Sequence, residues 1–251
     1  MVRCVLPVER PRPGPKVAEW FLDFEQSLWL KDDDTGKDDA RFIRHALRLK
    51  RGSSVLDAPC GAGRIAVHLA KAGCAVTGVD REAAFIRRAR RRFRSEGLKG
   101  TFLVGDVRDL DFDGEFHAVY NWGGSFGYFS DDENLEVLRG YARALKRGGR
   151  LMVEQPNREY ILRHFRRRGE RGGVRTRTKW SPRTERVETT WTCTLDGRRR
   201  SCRSVMRLFT PGQFARLFAR VGLDVVATYG SLDGETYRRR SRRLYVVGRK
   251  R

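Results

Sequence analysis

Lysine is scarce in this 251-residue chain. It supplies nine of 53 basic residues, so the formal net charge of +22 is carried almost entirely by arginine. Long apolar runs are missing as well. No segment approaches the roughly 18 consecutive apolar residues of a membrane span, and Pro7, Pro11, Pro13 and Pro15 interrupt the stretch where a secretory leader needs an unbroken apolar core. Five cysteines, odd in number, offer no metal-ligand spacing and fit a reducing compartment. No GxxxxGK[ST] motif occurs, and no glycine loop has the GxGxxG spacing, which counts against nucleoside triphosphate and nicotinamide chemistry. The expectation is a cytoplasmic protein with no membrane partner and no metal. At 39% hydrophobic content, one α/β domain with an inserted lobe is the default.

Against these absences stands the stretch Val55-Leu56-Asp57-Ala58-Pro59-Cys60-Gly61-Ala62-Gly63-Arg64. Apolar residues at 54–58 suit a buried parallel strand. Gly61 and Gly63 allow a tight turn and close approach of a ligand, and Ile65, Ala66, Leu69 and Ala70 give the following helix an inward face. A second apolar run, Ala75–Val79, ends in Asp80, twenty-three residues after Asp57, where a βαβ unit places the acid that binds a ribose. A third, Thr101–Gly105, ends in Asp106. Three strands finishing in carboxylates put three acids along the carboxyl edge of one sheet, where open α/β sheets bind ligands.

These motifs resemble those of the class I S-adenosylmethionine-dependent methyltransferases, from about residue 40 to the end of the chain. VLDAPCGAGR looks like the family's first motif, VTGVD its second, GDVRDL its third, HAVYNWGGSFGYF its fourth and LKRGGRLMVEQPN its fifth strand. Pro59 departs from the pattern by standing where the family has its first glycine. The resemblance implies a Rossmann-like α/β fold: a seven-stranded, mostly parallel sheet with an antiparallel last strand, helices on both faces, and a small antiparallel β cap inserted after the fifth strand. It implies S-adenosyl-L-methionine as cofactor and S-adenosyl-L-homocysteine as product. Asp80 would accept hydrogen bonds from the ribose hydroxyls, Asp106 and Val107 would hold the adenine, and Gly61 and Gly63 would lie against the amino acid moiety with Asp57 beneath. Ala58, Pro59, Arg64, Arg81, Asn121 and Trp122 complete the cofactor set.

The remaining chain divides into an N-terminal tail and aromatic lid helix (1–37), the cofactor-binding core (38–157), the cap (158–209) and the completion of the core (210–251). The first core helix is expected at about 38–49. Ser130-Asp131-Asp132-Glu133 and Thr210-Pro211-Gly212-Gln213 are capping boxes opening helices, the first expected to end at Gly148-Gly149. Alternating residues in VETTWTCTL and SVMRLF around Asp196-Gly197 read as one antiparallel hairpin. Cys193 and Cys202 flank that turn and are placed to face each other across it, with free thiols expected ahead of a disulfide. The runs 223–227 and 243–247 are strands pairing antiparallel.

Methyl transfer needs an oriented nucleophile and exclusion of water more than it needs acid–base groups. Tyr128, Glu154 and Asn121 are the candidate catalytic residues, with Trp20, Phe21, Ser125, Tyr128, Arg207 and Tyr237 the candidate acceptor contacts. NWGG stands where base-modifying relatives carry an NPPY-like tetrad, so a small-molecule N- or O-acceptor leads. An RNA acceptor served by the arginine clusters at 87–94, 163–177, 198–203 and 238–243 is the first alternative, and a non-catalytic cofactor-binding module the second. The cluster at 87–94 reads as a solvated helix face, because Phe85, Ile86, Ala89 and Phe93 repeat at helical spacing. A homo-oligomer is compatible with all three.

Overall fold

The computed structural model describes residues 35–195 and 197–251. Trp20 and Phe21, with the lid helix assigned to them, lie outside the described residues, as does Asp196. The larger sheet has seven strands in the order β10-β11-β5-β4-β1-β2-β3. These are β1 (Ser54–Asp57), β2 (Ala75–Asp80), β3 (Thr101–Val104), β4 (Phe116–Asn121), β5 (Leu145–Pro156), β10 (Leu223–Tyr229) and β11 (Arg243–Lys250). Strands β1 to β5 are mutually parallel, and β11 runs antiparallel to both β5 and β10. This is the expected Rossmann-like order with a reversed last strand.

Helices cover both faces because their apolar residues recur at helical spacing. On one side α1 (Thr35–Ala46), α2 (Ala66–Lys71) and α3 (Ala83–Ser95) bury Phe42, Ile43, Leu69, Ile86, Ala89 and Phe93. On the other, α4 (Asp131–Ala144) and α6 (Pro211–Arg220) bury Leu138, Tyr141, Phe214 and Phe218. Val55 and Leu56 of β1 are fully buried between the two layers, one toward each. Both capping boxes form: Ser130 Oγ accepts from Glu133 N–H (3.2 Å), and Thr210 Oγ1 from Gln213 N–H (3.3 Å). Losing either cap would cost about 1 kcal/mol. Among the described residues no helix is long and apolar enough to cross a membrane.

Four expectations are corrected. Helix α1 starts and ends about three residues early, at Thr35–Ala46. Helix α4 stops at Ala144, not at the glycine pair. Leu145 is extended (φ −76°, ψ 139°) and already pairs with Phe116, and Gly148 and Gly149 serve a register shift within β5. The third apolar run is a sheet edge of which only Phe102 is buried. The cap is a four-stranded antiparallel sheet, not a lone hairpin: β6 (Arg168–Arg171), β7 (Val174–Ser181), β8 (Arg186–Leu195) and β9 (Arg198–Arg207) follow the short helix α5 (Arg158–Arg163). Its register sets Cys193 opposite Arg200 and Cys202 opposite Trp191, and both thiols are free.

Candidate functional site

The glycine loop is anchored from several directions. Asp80, at the end of β2, is 5% exposed. Its Oδ2 accepts Gly61 N–H (2.8 Å) and its Oδ1 accepts Glu82 N–H (2.9 Å), which ties the loop to the strand. Gly61 (φ +52°) occupies the left-handed region, and a Cβ built there meets nothing within 4 Å. The loop therefore borders open space beside a buried carboxylate, a fit for an adenosyl amino acid that a larger residue would intrude upon. On the other flank Arg64 pairs with Asp39 of α1 (2.7 Å). Arg81 is half-exposed and pairs with Glu82 (3.2 Å).

Asp57 lies beneath this loop, fully enclosed. Burial, reinforced by the neighbouring Asp80 charge, pushes its pKa up to about 8. Burial also pushes Asp80 up to about 6, the two backbone N–H groups limiting the rise. Asp106 behaves differently. Burial disfavours its charge, but the Arg108 guanidinium outweighs that: it donates to Oδ1 (3.1 Å) and Oδ2 (2.7 Å) and holds the carboxyl below its usual range. Arg108 also bonds Glu133 of the α4 capping box (2.8 Å) and stacks over Phe129 (4.6 Å). It therefore joins the Asp106 turn, with adjoining Val107, to the loop that follows β4. No helix begins at Asp106, so its carboxylate is not a helix cap.

Asn121 closes β4 and is fully buried. Its Nδ2 donates to Ala58 O (3.2 Å) and Tyr141 Oη (2.9 Å), while Tyr141 donates to Ala58 O (2.7 Å). These bonds fix the backbone just before Pro59. Trp122 packs near Tyr245 (5.2 Å) and Phe42 (6.2 Å). Glu154 of β5 is 1% exposed; its Oε1 pairs with Arg243 (2.5 Å) and its Oε2 accepts Gly124 N–H (2.7 Å). Burial raises its pKa, and the Arg243 charge and backbone donors partly offset the rise.

The candidate acceptor contacts are distributed around this rim. Ser125 Oγ donates to Trp122 O (2.8 Å) within the β4 loop, and Tyr128 is half-exposed on the same loop. The loop is pinned to the cap by Arg207 N–H donating to Gly127 O (2.8 Å). The Arg207 guanidinium pairs with Asp131 (2.5 Å) and Glu185 (2.6 Å) at the foot of the cap. Tyr237 donates to Asn157 Oδ1 (2.8 Å), and Asn157 Nδ2 donates to the carbonyls of 239 and 241, tying β5 to the last loop. Sequence reasoning missed Arg108, Tyr141 and Arg243. The spacing Asp106-Val107-Arg108 and the inward position of Tyr141 were signals for two of them. A groove of about 1080 Å³ elsewhere, between α1, α2 and β10, is lined by Arg41, Arg44, Arg48 and Val226 and touches none of the rim carboxylates.

A family model described as "Methyltransferase domain" matches residues 55–149, the span from β1 through the glycine pair of β5. The chain is 30% identical over 210 residues to a cypemycin N-terminal methyltransferase from a Streptomyces species, covering 78% of this chain and 82% of the relative. Among solved structures, an S-adenosylmethionine-dependent methyltransferase from Clostridium acetobutylicum superposes with a TM-score of 0.74 at 14% identity, covering 92% of this chain and 98% of the other. The sugar N-methyltransferase KedS8 from a Streptoalloteichus species does so at 0.67 and 22%, covering 100% and 99%. At these identities the two structures speak for the fold.

Proposed function

The chain belongs to the class I S-adenosylmethionine-dependent methyltransferases, and from that premise we propose that it methylates a nitrogen or oxygen of a small-molecule acceptor, with an amine as the favoured nucleophile. The observation that carries the reading is the pair of buried strand-end carboxylates, Asp57 and Asp80, at a glycine loop that is open at Gly61. When bound, S-adenosyl-L-methionine supplies a methyl group already activated on a sulfonium and leaves as S-adenosyl-L-homocysteine.

The residues divide the work. Asp80 keeps acceptor capacity for ribose hydroxyls while holding the glycine loop, since each carboxylate oxygen has a second lone pair. Asp106, with Val107, borders the adenine position, its orientation set by Arg108. Ala58, Pro59, Gly63 and Arg64 shape the amino acid end. Asn121 and Glu154 act as positioning residues: Asn121 Nδ2 donates to Ala58 O just before the glycine loop, and Glu154 Oε2 accepts Gly124 N–H of the β4 loop. Tyr128, Ser125 and Trp122, on the loop after β4, border the acceptor position. Holding an amine in line and excluding water supplies most of what the transfer requires. Asp80, ionised above about pH 6, places one negative charge beside the position of a cationic donor. KedS8 is named a sugar N-methyltransferase, and the Streptomyces relative an N-terminal methyltransferase.

The test is transfer of labelled methyl from the cofactor into a cell extract, with and without ribonuclease, and after acetylation of amines. Label in small metabolites that acetylation abolishes supports the reading. Ribonuclease-sensitive label replaces it with an RNA acceptor, and cofactor binding without any transfer replaces it with a non-catalytic module.

A further inference from the structure

The cap sheet has two unlike faces. One carries Trp180, Val187, Trp191 and Met206, with Arg171, Arg198 and Arg200 at its far end, and Met206 approaches the β4 loop at Gly124. The opposite face carries cations in register. Arg168, Arg177, Thr190 and Arg203 stand in one row across all four strands, and Glu170, Arg175, Thr192 and Ser201 in the next. Lys179 and Arg199 extend the same face at either end, and all six cations are exposed. Among the described residues two acids on this face oppose them: Glu170 pairs with Arg175 (3.7 Å) and Glu188 with Arg203 (2.7 Å). Arg168, Arg177, Lys179 and Arg199 have no ion pair among the described residues. A groove of about 660 Å³ follows this face, lined by Arg168, Arg177, Arg199, Thr190, Thr192 and Ser201.

Like charges directly opposite on neighbouring strands destabilise a sheet, yet Arg168 faces Arg177. A bound polyanion turns that repulsion into attraction. We propose that this outer face of the cap binds the phosphodiester backbone of nucleic acid without reading base sequence. Guanidinium forks match phosphate oxygens, and the hydroxyls of Thr190, Thr192 and Ser201 add neutral donors between them. The strands of this face present no aromatic ring on which a base could stack, Phe165 lining only a cavity at its edge with Arg168 and Lys179, so the contact is to backbone rather than to splayed bases. Apart from Val205 it has no apolar group to enter a membrane. Strands roughly 4.8 Å apart and alternate residues roughly 6.7 Å apart place its cations within reach of neighbouring phosphates on one backbone.

Other arginine clusters lack this arrangement. Arg239 and Arg243 are paired with Glu159 and Glu154, and on α3 Arg90 donates to Phe102 O. The rest of α3, Arg87, Arg88, Arg91 and Arg94, lies along the outside of one helix and supplies the control.

The experiment measures fluorescence anisotropy of labelled duplex RNA and duplex DNA, each about 20 base pairs, with the full chain across a salt series. Two variants carry equal charge changes: Arg168→Glu with Arg177→Glu on the cap, and Arg87→Glu with Arg91→Glu on α3. The expected result is a loss of at least about tenfold for the cap pair, with the slope of log affinity against log salt falling by roughly 2, and a loss below about threefold for the α3 pair. Arg199→Ser, without charge reversal, lowers the slope by roughly 1. Cofactor affinity by calorimetry stays unchanged in these variants, which separates lost docking from lost fold and keeps the outcome independent of the acceptor. Binding to either duplex supports the proposal, and the tighter one identifies the source of the backbone. Equal losses in both pairs, no binding by the parent chain at about 0.1 M salt, or displacement by polyglutamate as readily as by duplex overturns it.

Discussion

The rim of the large sheet and the outer face of the cap treat charge in opposite ways. At the rim the charges are buried: Asp80 accepts two backbone N–H groups, and Glu154 is met by Arg243 and by Gly124 N–H. Burial makes an unmatched charge costly, so both acids have specific partners: loop N–H groups for Asp80, and a loop N–H with the β11 guanidinium of Arg243 for Glu154. On the cap the arginines are exposed and stand opposite one another, because water screens them and no single pair is required. Substitution at the rim should therefore cost cofactor affinity and stability within a retained fold, whereas substitution on the cap should leave both nearly untouched.

The largest expected effect is at Asp80. Asp80→Ala removes the acceptor proposed for the ribose and releases Gly61 N–H, and charge-assisted bonds of this kind contribute about 1.5–3 kcal/mol each. Calorimetry should show cofactor affinity lowered by roughly 100-fold or more with far-ultraviolet circular dichroism unchanged. Unaltered affinity would overturn the ribose assignment. Glu154→Ala comes next. It strands Gly124 N–H and deprives Arg243 of its partner, and because the Arg243 side chain is 39% exposed and can rehydrate, the expected loss of stability is about 2–4 kcal/mol. Glu154→Gln keeps an acceptor for Gly124 and should recover much of that loss in urea unfolding. Equal damage from both would mean the ion pair outweighs the loop contact.

How much of this contrast was legible in the sequence follows from the same physics. Strand-end acids, the glycine loop and the two capping boxes are local patterns; Asp57 and Asp80 close their strands and both boxes form, while Asp106 lies two residues past the end of β3. The identity of an acid's partner is not local. Arg243 meets Glu154 only because β11 inserts antiparallel beside β5, which sets Tyr245 opposite Glu154. Arg108 sits two residues from Asp106, but its second partner Glu133 comes from the next helix. In the cap, strands β6 and β7 were hidden because arginine dominates the positions that alternate, so no apolar period marked them. The early end of α4 was masked in the same way: Gly148-Gly149 has the composition of a helix stop but serves a shift inside a strand.

A smaller effect separates the two regions by pH. Asp80 has its folded pKa raised to about 6 and Asp57 to about 8, both from an ordinary value of 3.8. For such acids the folded state holds the proton longer than the unfolded state. Their stabilising contribution is complete below about pH 4 and is lost as pH rises through 6 and then 8. Cofactor binding runs the other way, because the ionised form of Asp80 is the better acceptor, so affinity should fall by up to about tenfold per pH unit below 6. Asp57→Asn should flatten the stability curve of the cofactor-free protein between pH 4 and 8. The exposed arginines of the cap do not titrate there, so duplex binding should be level across the same interval. A parallel decline of both activities toward low pH would erase the distinction.

The smallest expected change tests the cap by itself. Arg177→Thr removes one member of the directly opposed pair Arg168 and Arg177 and substitutes a residue well suited to a strand. With no ion pair lost, unfolding at low salt should show a gain of roughly 0.2–0.5 kcal/mol. The gain should fade as salt approaches about 1 M, where the screening length shrinks to roughly 3 Å. Should the variant instead lose more than about 1 kcal/mol, Arg177 would be holding the sheet together. The tolerance for opposed cations would then reflect packing of their aliphatic stems rather than an open face awaiting an anion, and the rim and the cap would differ in depth alone.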